Sequence, residues 1–241
     1  MEQLNTAGAV SPQQSVKGLS LRGLGEIIYK PAAFFEQLKD NPRVLVPILA
    51  IFIGVFIFTF AIADIQQQDQ IELLRNSRFA QDQAIDSDTS VTKKLIGAAV
   101  AGIMVAFLPT LLAAALAMLL GNFLMAGSAR FKQIWSVGLY GSIITILGML
   151  IKMPLIFAKG TTFVSLSFAA LIPGLEPTSA TYILLEAFNF FSIWEIIVVG
   201  IGFATIYGFT RNKGYVISVV SIGAILLLFA GFQIFAMSLI T

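Results

Sequence analysis

Apolar and polar positions in this 241-residue chain fall into long blocks rather than short alternations. Residues 44–63, 95–126, 134–157, 190–209 and 215–240 form five runs that are almost purely apolar. A helix needs about 20 such residues to cross the hydrocarbon of a bilayer, and every run reaches that length. The pattern predicts an all-α, polytopic membrane bundle of five transmembrane helices. Residues 21–241 make up the membrane domain, and the Gln-, Ser- and Gly-rich stretch 1–20 reads as a flexible solvated tail without the charged n-region of a cleavable signal peptide.

Between the tail and the first run, Leu21, Leu24, Ile27, Ile28, Phe34, Phe35 and Leu38 recur at helical spacing, with Arg22, Glu26, Lys30, Glu36 and Lys39 between them. Pro31 divides this pattern into two short amphipathic helices, with the proline at the first turn of the second. Two placements fit. The helices lie in the membrane interface with Phe34 and Phe35 contacting lipid or a partner, or they cap the end of the bundle, and the two placements are compatible.

Within the runs, small residues repeat every third or fourth position. Ala98, Gly102, Ala106, Thr110 and Ala114 line one face of the second run. Gly138, Gly141, Ser142, Thr145 and Gly148 line the third, and Gly200, Ala204 and Gly208 line the fourth. Lipid removes the hydrophobic drive between helices, so such ridges serve close backbone approach, and these residues are expected to be helix-packing positions. The second run exceeds one perpendicular crossing, and Pro109 marks its expected kink.

Two segments resist simple assignment. Residues 64–94 are polar and largely acidic; Glu72 with Arg75 and Arg78 with Asp82 have helical spacing, so the first span is expected to continue into water. Asp82, Asp86 and Asp88 lack the ligand ladder and glycine of a calcium loop, which favours solvated charge and helix capping. Residues 160–189 are broken by Gly160, Pro173, Gly174 and Pro177 yet remain apolar, so they either lie along the surface or form a re-entrant pair.

Composition narrows the chemistry. Hydrophobic residues make up 57% and charged residues 12% of the chain, and the mean hydropathy is +0.88, which leaves too little polar surface for a soluble globule. The chain has no cysteine and no histidine, so thiol nucleophiles, imidazole bases and the usual zinc, haem and iron–sulfur ligand sets are missing; no cofactor, no metal site and no catalytic residue is expected. Ser142 and Ser192 are serines without a His base. A net charge of +2 gives no reason to expect nucleic acid as a partner.

The placement of charge is more informative. The short joints 127–133 and 210–214 hold Arg130, Lys132, Arg211 and Lys213 with no acid, and the amino-terminal region is also basic, whereas Asp64, Asp69 and Glu72 follow the first span. The positive-inside rule then places the amino terminus in the cytoplasm and the carboxyl terminus outside, against the minority vote of Lys93 and Lys94. In that topology Lys152 and Glu195 lie at matching depth near the outer face. They are expected to form a buried polar pair, the alternative being that each snorkels to the interface.

The order of parts resembles a family. Residues 24–42 (LGEIIYKPAAFFEQLKDNP) precede five spans, and residues 188–215 (FNFFSIWEIIVVGIGFATIYGFTRNKGY) give an aromatic-Ser-Ile-Trp start to a glycine-rich fourth span that ends in a basic joint. With Pro31 before Phe34 and Phe35, Pro42, and an alanine-rich second span, the chain resembles the Yip (Ypt-interacting protein) domain family in its short prokaryotic form. The resemblance implies a helical membrane bundle with a cytosolic amino terminus and, in eukaryotic members, association with Rab-type GTPases and vesicle traffic. The Asp-Leu-Tyr-Gly-Pro motif of those members is missing here.

These readings converge on a non-enzymatic multi-pass protein of a prokaryotic cytoplasmic membrane. It is expected to act as a membrane-organising or partner-binding scaffold whose partners are the lipid bilayer, another protein and, in one arrangement, further copies of itself. A small transporter or the accessory subunit of a transport complex is the rival reading.

Overall fold

The fourth apolar run becomes the helix around which the others pack. The computed structural model describes residues 21–75 and 90–240, so the tail 1–20 and the charges Arg78, Asp82, Asp86 and Asp88 lie outside the described residues. The described elements are α1 (Leu21–Tyr29), α2 (Pro31–Asp40), α3 (Leu45–Arg75), α4 (Val91–Met118), α5 (Phe131–Lys159), α6 (Ala180–Ala187), α7 (Phe190–Tyr207) and α8 (Arg211–Ile240). A π-helical turn, Leu119–Leu124, continues α4, and a 3-10 turn, Phe168–Leu171, precedes α6.

Five of these helices are long and apolar enough to cross a membrane: Leu45–Leu73, Val91–Leu124, Phe131–Lys159, Phe190–Tyr207 and Arg211–Leu239. In the most apolar stretch of α7, 44% of residues are buried, against 19–28% in the other four, which makes α7 the centre of the bundle. Asn189 starts it by accepting the backbone N–H groups of Phe191 and Ser192 at 2.9 and 3.0 Å. Gly208 ends it in the left-handed region at φ 68°, a conformation glycine adopts without steric cost.

Close approach explains the packing of α7. A Cβ on Gly200 would lie 2.5 Å from the Tyr215 ring, and one on Gly214 would lie 2.2 Å from the Gly200 carbonyl, so α7 and α8 touch nearly backbone to backbone. A Cβ on Gly141 would lie 2.1 Å from Val199, which closes α5 onto α7 in the same way. Gly54 of α3 receives Ile146 of α5, and Gly102 of α4 receives Phe52 of α3. Glycine at these positions replaces a hydrophobic drive with dispersion contacts at short range.

The regular helices extend beyond the apolar runs. In α3, twelve helical residues follow the apolar run that ends at 63, because the polar continuation contains good helix formers and no breaker. Helix α4 starts at Val91, capped by the Ser90 hydroxyl, and its Lys94 reaches back to Asp64 of α3 at 2.7 Å. It runs on across Pro109 as one helix, and the departure from α geometry comes ten residues later, at Leu119. There the wider turn sets Gly121 against the ring of Tyr207, and the Asn122 side chain fixes the following turn by bonding both the N–H and the carbonyl of Ala129.

Both short basic joints and the α1–α2 pair lie at one end of the bundle. Helix α2 packs on α7 and α5, with Phe35 fully buried and Leu38 nearly so, and α1 packs on α5 with Ile27 fully buried. Two polar side chains of α5 complete the attachment: Gln133 donates to the Lys39 carbonyl and Ser136 to the Arg43 carbonyl, each at 2.8 Å.

At the opposite end, residues 160–189 stand beside the long helices instead of lying beyond their ends. Phe191, at the start of α7, fits against Gly148 of α5, which is eleven residues, or about 16 Å, before the end of that helix. Helix α7 thus begins well inside the bundle, and α6 with the turns before it fills the height left open above.

Candidate functional site: two polar clusters inside the bundle

Both charged residues expected within the spans are half-buried at seams of the bundle, in separate clusters. The first is at mid-height. Ser142 and Thr145, three residues apart on one face of α5, both point at Glu195 of α7. The Ser142 hydroxyl is 2.8 Å from Glu195 Oε1, and the Thr145 hydroxyl is 2.5 Å from Oε2. Ser142 Oγ is also 3.1 Å from the Gly138 carbonyl of its own helix. The missing side chain of Gly141 brings α7 close enough for these contacts, since a Cβ there would lie 2.1 Å from Val199, one turn along α7 from Glu195.

The second cluster is nearer the end that carries α6. Lys152 donates to Glu186 Oε1 at 2.9 Å, and the Ser165 hydroxyl donates to Oε2 of the same carboxylate at 2.5 Å. Ser165 in turn shares a 2.7 Å hydrogen bond with Ser167, whose backbone bridges to Asn189. Lys152 and Glu186 are about a quarter exposed, so this pair is damp rather than dry. Burial, and then the Glu186 carboxylate, push the nearby Tyr182 phenol above its ordinary range, while the Ser165 hydroxyl opposes the shift. Beside this cluster a groove of about 280 Å³ opens between α6 and α8, with Tyr182, Glu186 and Gln233 as its polar lining and Leu226 and Phe229 as apolar wall.

A third carboxylate closes the rim. Asp69, buried near the end of α3, accepts the Thr162 N–H at 2.6 Å and also the Thr162 hydroxyl, which ties the chain just after α5 to α3.

The expected Lys152–Glu195 pair is therefore corrected. Each residue is engaged, but by a different partner, because α7 begins deeper than α5 ends and carries Glu195 down to the level of Thr145, about 10 Å below Lys152. Glu186, the true partner, sits in the interrupted segment whose path the apolar pattern left open.

Phe35 is likewise corrected as a membrane or partner contact, while Phe34 is half-buried and keeps part of its surface exposed. Phe35 is fully buried beside Val137 and Gly202, and Phe34 meets Tyr140 edge to face at 4.8 Å. The slot at Gly202 gives an aromatic ring contacts on several sides, which a fluid interface does not match. Of the packing positions, Gly102, Gly141, Gly200 and Ala204 stand at helix contacts, and Ala98 is fully buried. Gly138 has open space where its Cβ would be, and Gly208 serves as a helix cap rather than a contact. Ala106 lies within α4, with its side chain outside the described residues. Thr110 does more than offer a small profile, since its hydroxyl accepts the Trp135 indole N–H at 3.1 Å.

The small-residue spacing marks Ser142 and Thr145 as packing positions and does not mark them as hydrogen-bond donors to Glu195; their i,i+3 spacing and a lone membrane acid are the signal for that role. Asp69, Thr162 and Glu186 gave no comparable signal, because their partners are distant in the chain.

The chain is similar to the membrane protein YknW of Bacillus subtilis, with 26% identity over 209 residues, covering 86% of this chain and 87% of the relative. No solved structure matches it. The model of the Yip1 domain matches residues 25–232, from α1 to the last turns of α8. With nearly the whole bundle inside that match, the chain belongs to the Yip1 domain family.

Proposed function

We propose that this protein is a non-enzymatic scaffold of a prokaryotic cytoplasmic membrane, which holds a protein partner against a rigid helical bundle. The observation that carries this reading is that both ionisable acid or base residues of the apolar runs have internal partners: Lys152 has Glu186, and Glu195 has Ser142 and Thr145. Glycine contacts close the seams around them. Such an interior suits a fixed frame whose outer faces do the recognising. Apolar side chains such as Phe123, Leu124 and Phe232, each at least 70% exposed, leave those faces for lipid or for a partner's helices.

The orientation that goes with this reading puts α1, α2 and the basic joints in the cytosol. Lys30, Lys39, Arg43, Arg130, Lys132, Arg211 and Lys213 gather at that end, and at the other end Lys94 is neutralised by Asp64. Because the chain contains no cysteine, single cysteines at Asp64 and Arg211 can be labelled without background. Opposite accessibility from outside intact cells is expected; labelling of both from one side would overturn the orientation.

Cross-linking in native membranes followed by mass spectrometry tests the function itself. Recovery of one defined membrane protein, cross-linked at fixed positions, is the expected result. Reconstituted vesicles that carry a solute or proton flux abolished by Glu195→Gln would overturn the scaffold in favour of a transporter.

A further inference from the structure

The cluster around Glu195 contains more acceptors than its hydroxyls can serve. Ser142 and Thr145 supply one proton each. Three contacts need protons: Thr145 to Glu195 Oε2, Ser142 to Glu195 Oε1, and Ser142 to the Gly138 carbonyl. If the carboxyl were ionised, Ser142 would divide one hydrogen between two oxygens. With a proton on Oε1 the chain closes, as Thr145 donates to Oε2, Glu195 donates to Ser142, and Ser142 donates to Gly138.

The surrounding charges agree with this count. Helix α7 has no other charged residue, and its remaining ionisable group, Tyr207, is at its far end. On α5 the ionisable groups are Lys132 and Lys159 at its ends, Tyr140, which packs on Phe34, and Lys152, which is held by Glu186. Those of α8 are Arg211, Lys213 and Tyr215, all in its first turns beside the other end of α7. On α2, Glu36, Lys39 and Asp40 flank the level of Gly202, two turns away. The polar partners described for the half-buried Glu195 are thus two hydroxyls, and Thr145 is the central residue of α5, as far as that helix allows from either bundle end.

We propose that Glu195 with Ser142 and Thr145 is a proton-binding site in the α5–α7 seam, occupied by one proton at neutral pH. The site holds the two helices together through a neutral carboxylic acid, and losing the proton would place an unpaired charge in that seam. The inference is independent of the scaffold reading, because a bound proton need not move.

The full-length protein in lipid vesicles provides the test. At neutral pH the infrared difference between wild type and Glu195→Gln is expected to contain the carbonyl stretch of a protonated carboxylic acid. Thr145→Val should move that band to higher frequency by removing a hydrogen bond. Dicyclohexylcarbodiimide, which reacts with neutral carboxyl groups in lipid, should modify wild-type Glu195 at neutral pH, located by peptide mass mapping, with labelling falling several-fold as the pH is raised. A difference spectrum with only ionised carboxylate bands would overturn the proposal. So would protection of Glu195 by sodium or lithium at constant pH, which would make the site one for a metal cation.

Discussion

The two ends of this bundle are closed by opposite chemistry. At the end with α1 and α2, closure is apolar: Phe35, Ile27 and Leu38 enter the core, and the long-range polar ties described there join uncharged groups, Gln133 and Ser136 to the carbonyls of Lys39 and Arg43 and Trp135 to Thr110. At the other end, carboxylates make the ties: Asp69 to Thr162, Glu186 to Lys152 and Ser165, and Asp64 to Lys94. The reason lies in what each end has to hold. A preformed amphipathic helix offers a continuous apolar face, so burial fixes it. The segment 160–189 offers little regular structure, and its irregular backbone requires specific directional partners near the membrane.

The sharpest way to break this comparison is to remove the apolar anchor. Phe35→Ala should cost about 3 kcal/mol or more, as expected for a fully buried ring, and amide exchange should accelerate in α1 and α2 while 160–189 stays protected. A cost below about 1 kcal/mol would return Phe35 to the lipid interface.

A smaller loss, about 1.5 kcal/mol, is expected from Lys152→Met, which strips the cation from a Glu186 that is only about a quarter exposed. Charge exchange sharpens it. Lys152→Glu combined with Glu186→Lys should recover most of the thermal stability lost by either change alone, and Lys152→Glu combined with Glu195→Lys should recover none. Recovery in the second pair would reinstate the contact that the structure rejects.

Thr162→Ala removes one of the two donors to Asp69 and leaves the backbone donor, so a loss of about 1 kcal/mol is expected, with faster exchange confined to the turn after α5. The smallest effect is assigned to Thr110→Val, which keeps the shape of the side chain and deletes the acceptor of the Trp135 indole N–H; membrane hydrogen bonds of this kind average about 0.6 kcal/mol. Equilibrium unfolding in mild detergent can rank all four. If the two hydroxyl changes outweighed Phe35→Ala, the apolar end would not be held as described.

Much of this architecture was legible in the residues themselves. Run length gave the five spans and Pro31 the break between α1 and α2, because both depend on local chain chemistry. Small-residue spacing found Gly141, Gly200 and Ala204, yet the same spacing also named Gly138 and Gly208, which make no such contact. A period shows which residues share a face, without showing what stands opposite. Charge matching failed for a related reason. Lys152 and Glu195 were aligned by counting from the ends of their runs, which assumes that both helices start at the same height.

The amino-acid sequence by itself therefore determined that the chain is helical, that five segments have the length and apolarity to cross lipid, and where basic and acidic residues fall between them. Bilayer thickness and the need to satisfy backbone groups leave a long apolar run few other outcomes. Only the tertiary structure decided which carboxylate meets Lys152, that Ser142 and Thr145 stand opposite Glu195, and that Phe35 of α2 turns inward. Those choices depend on the relative heights of helices and on slots left by glycines in distant parts of the chain, which the spacing within one run does not set.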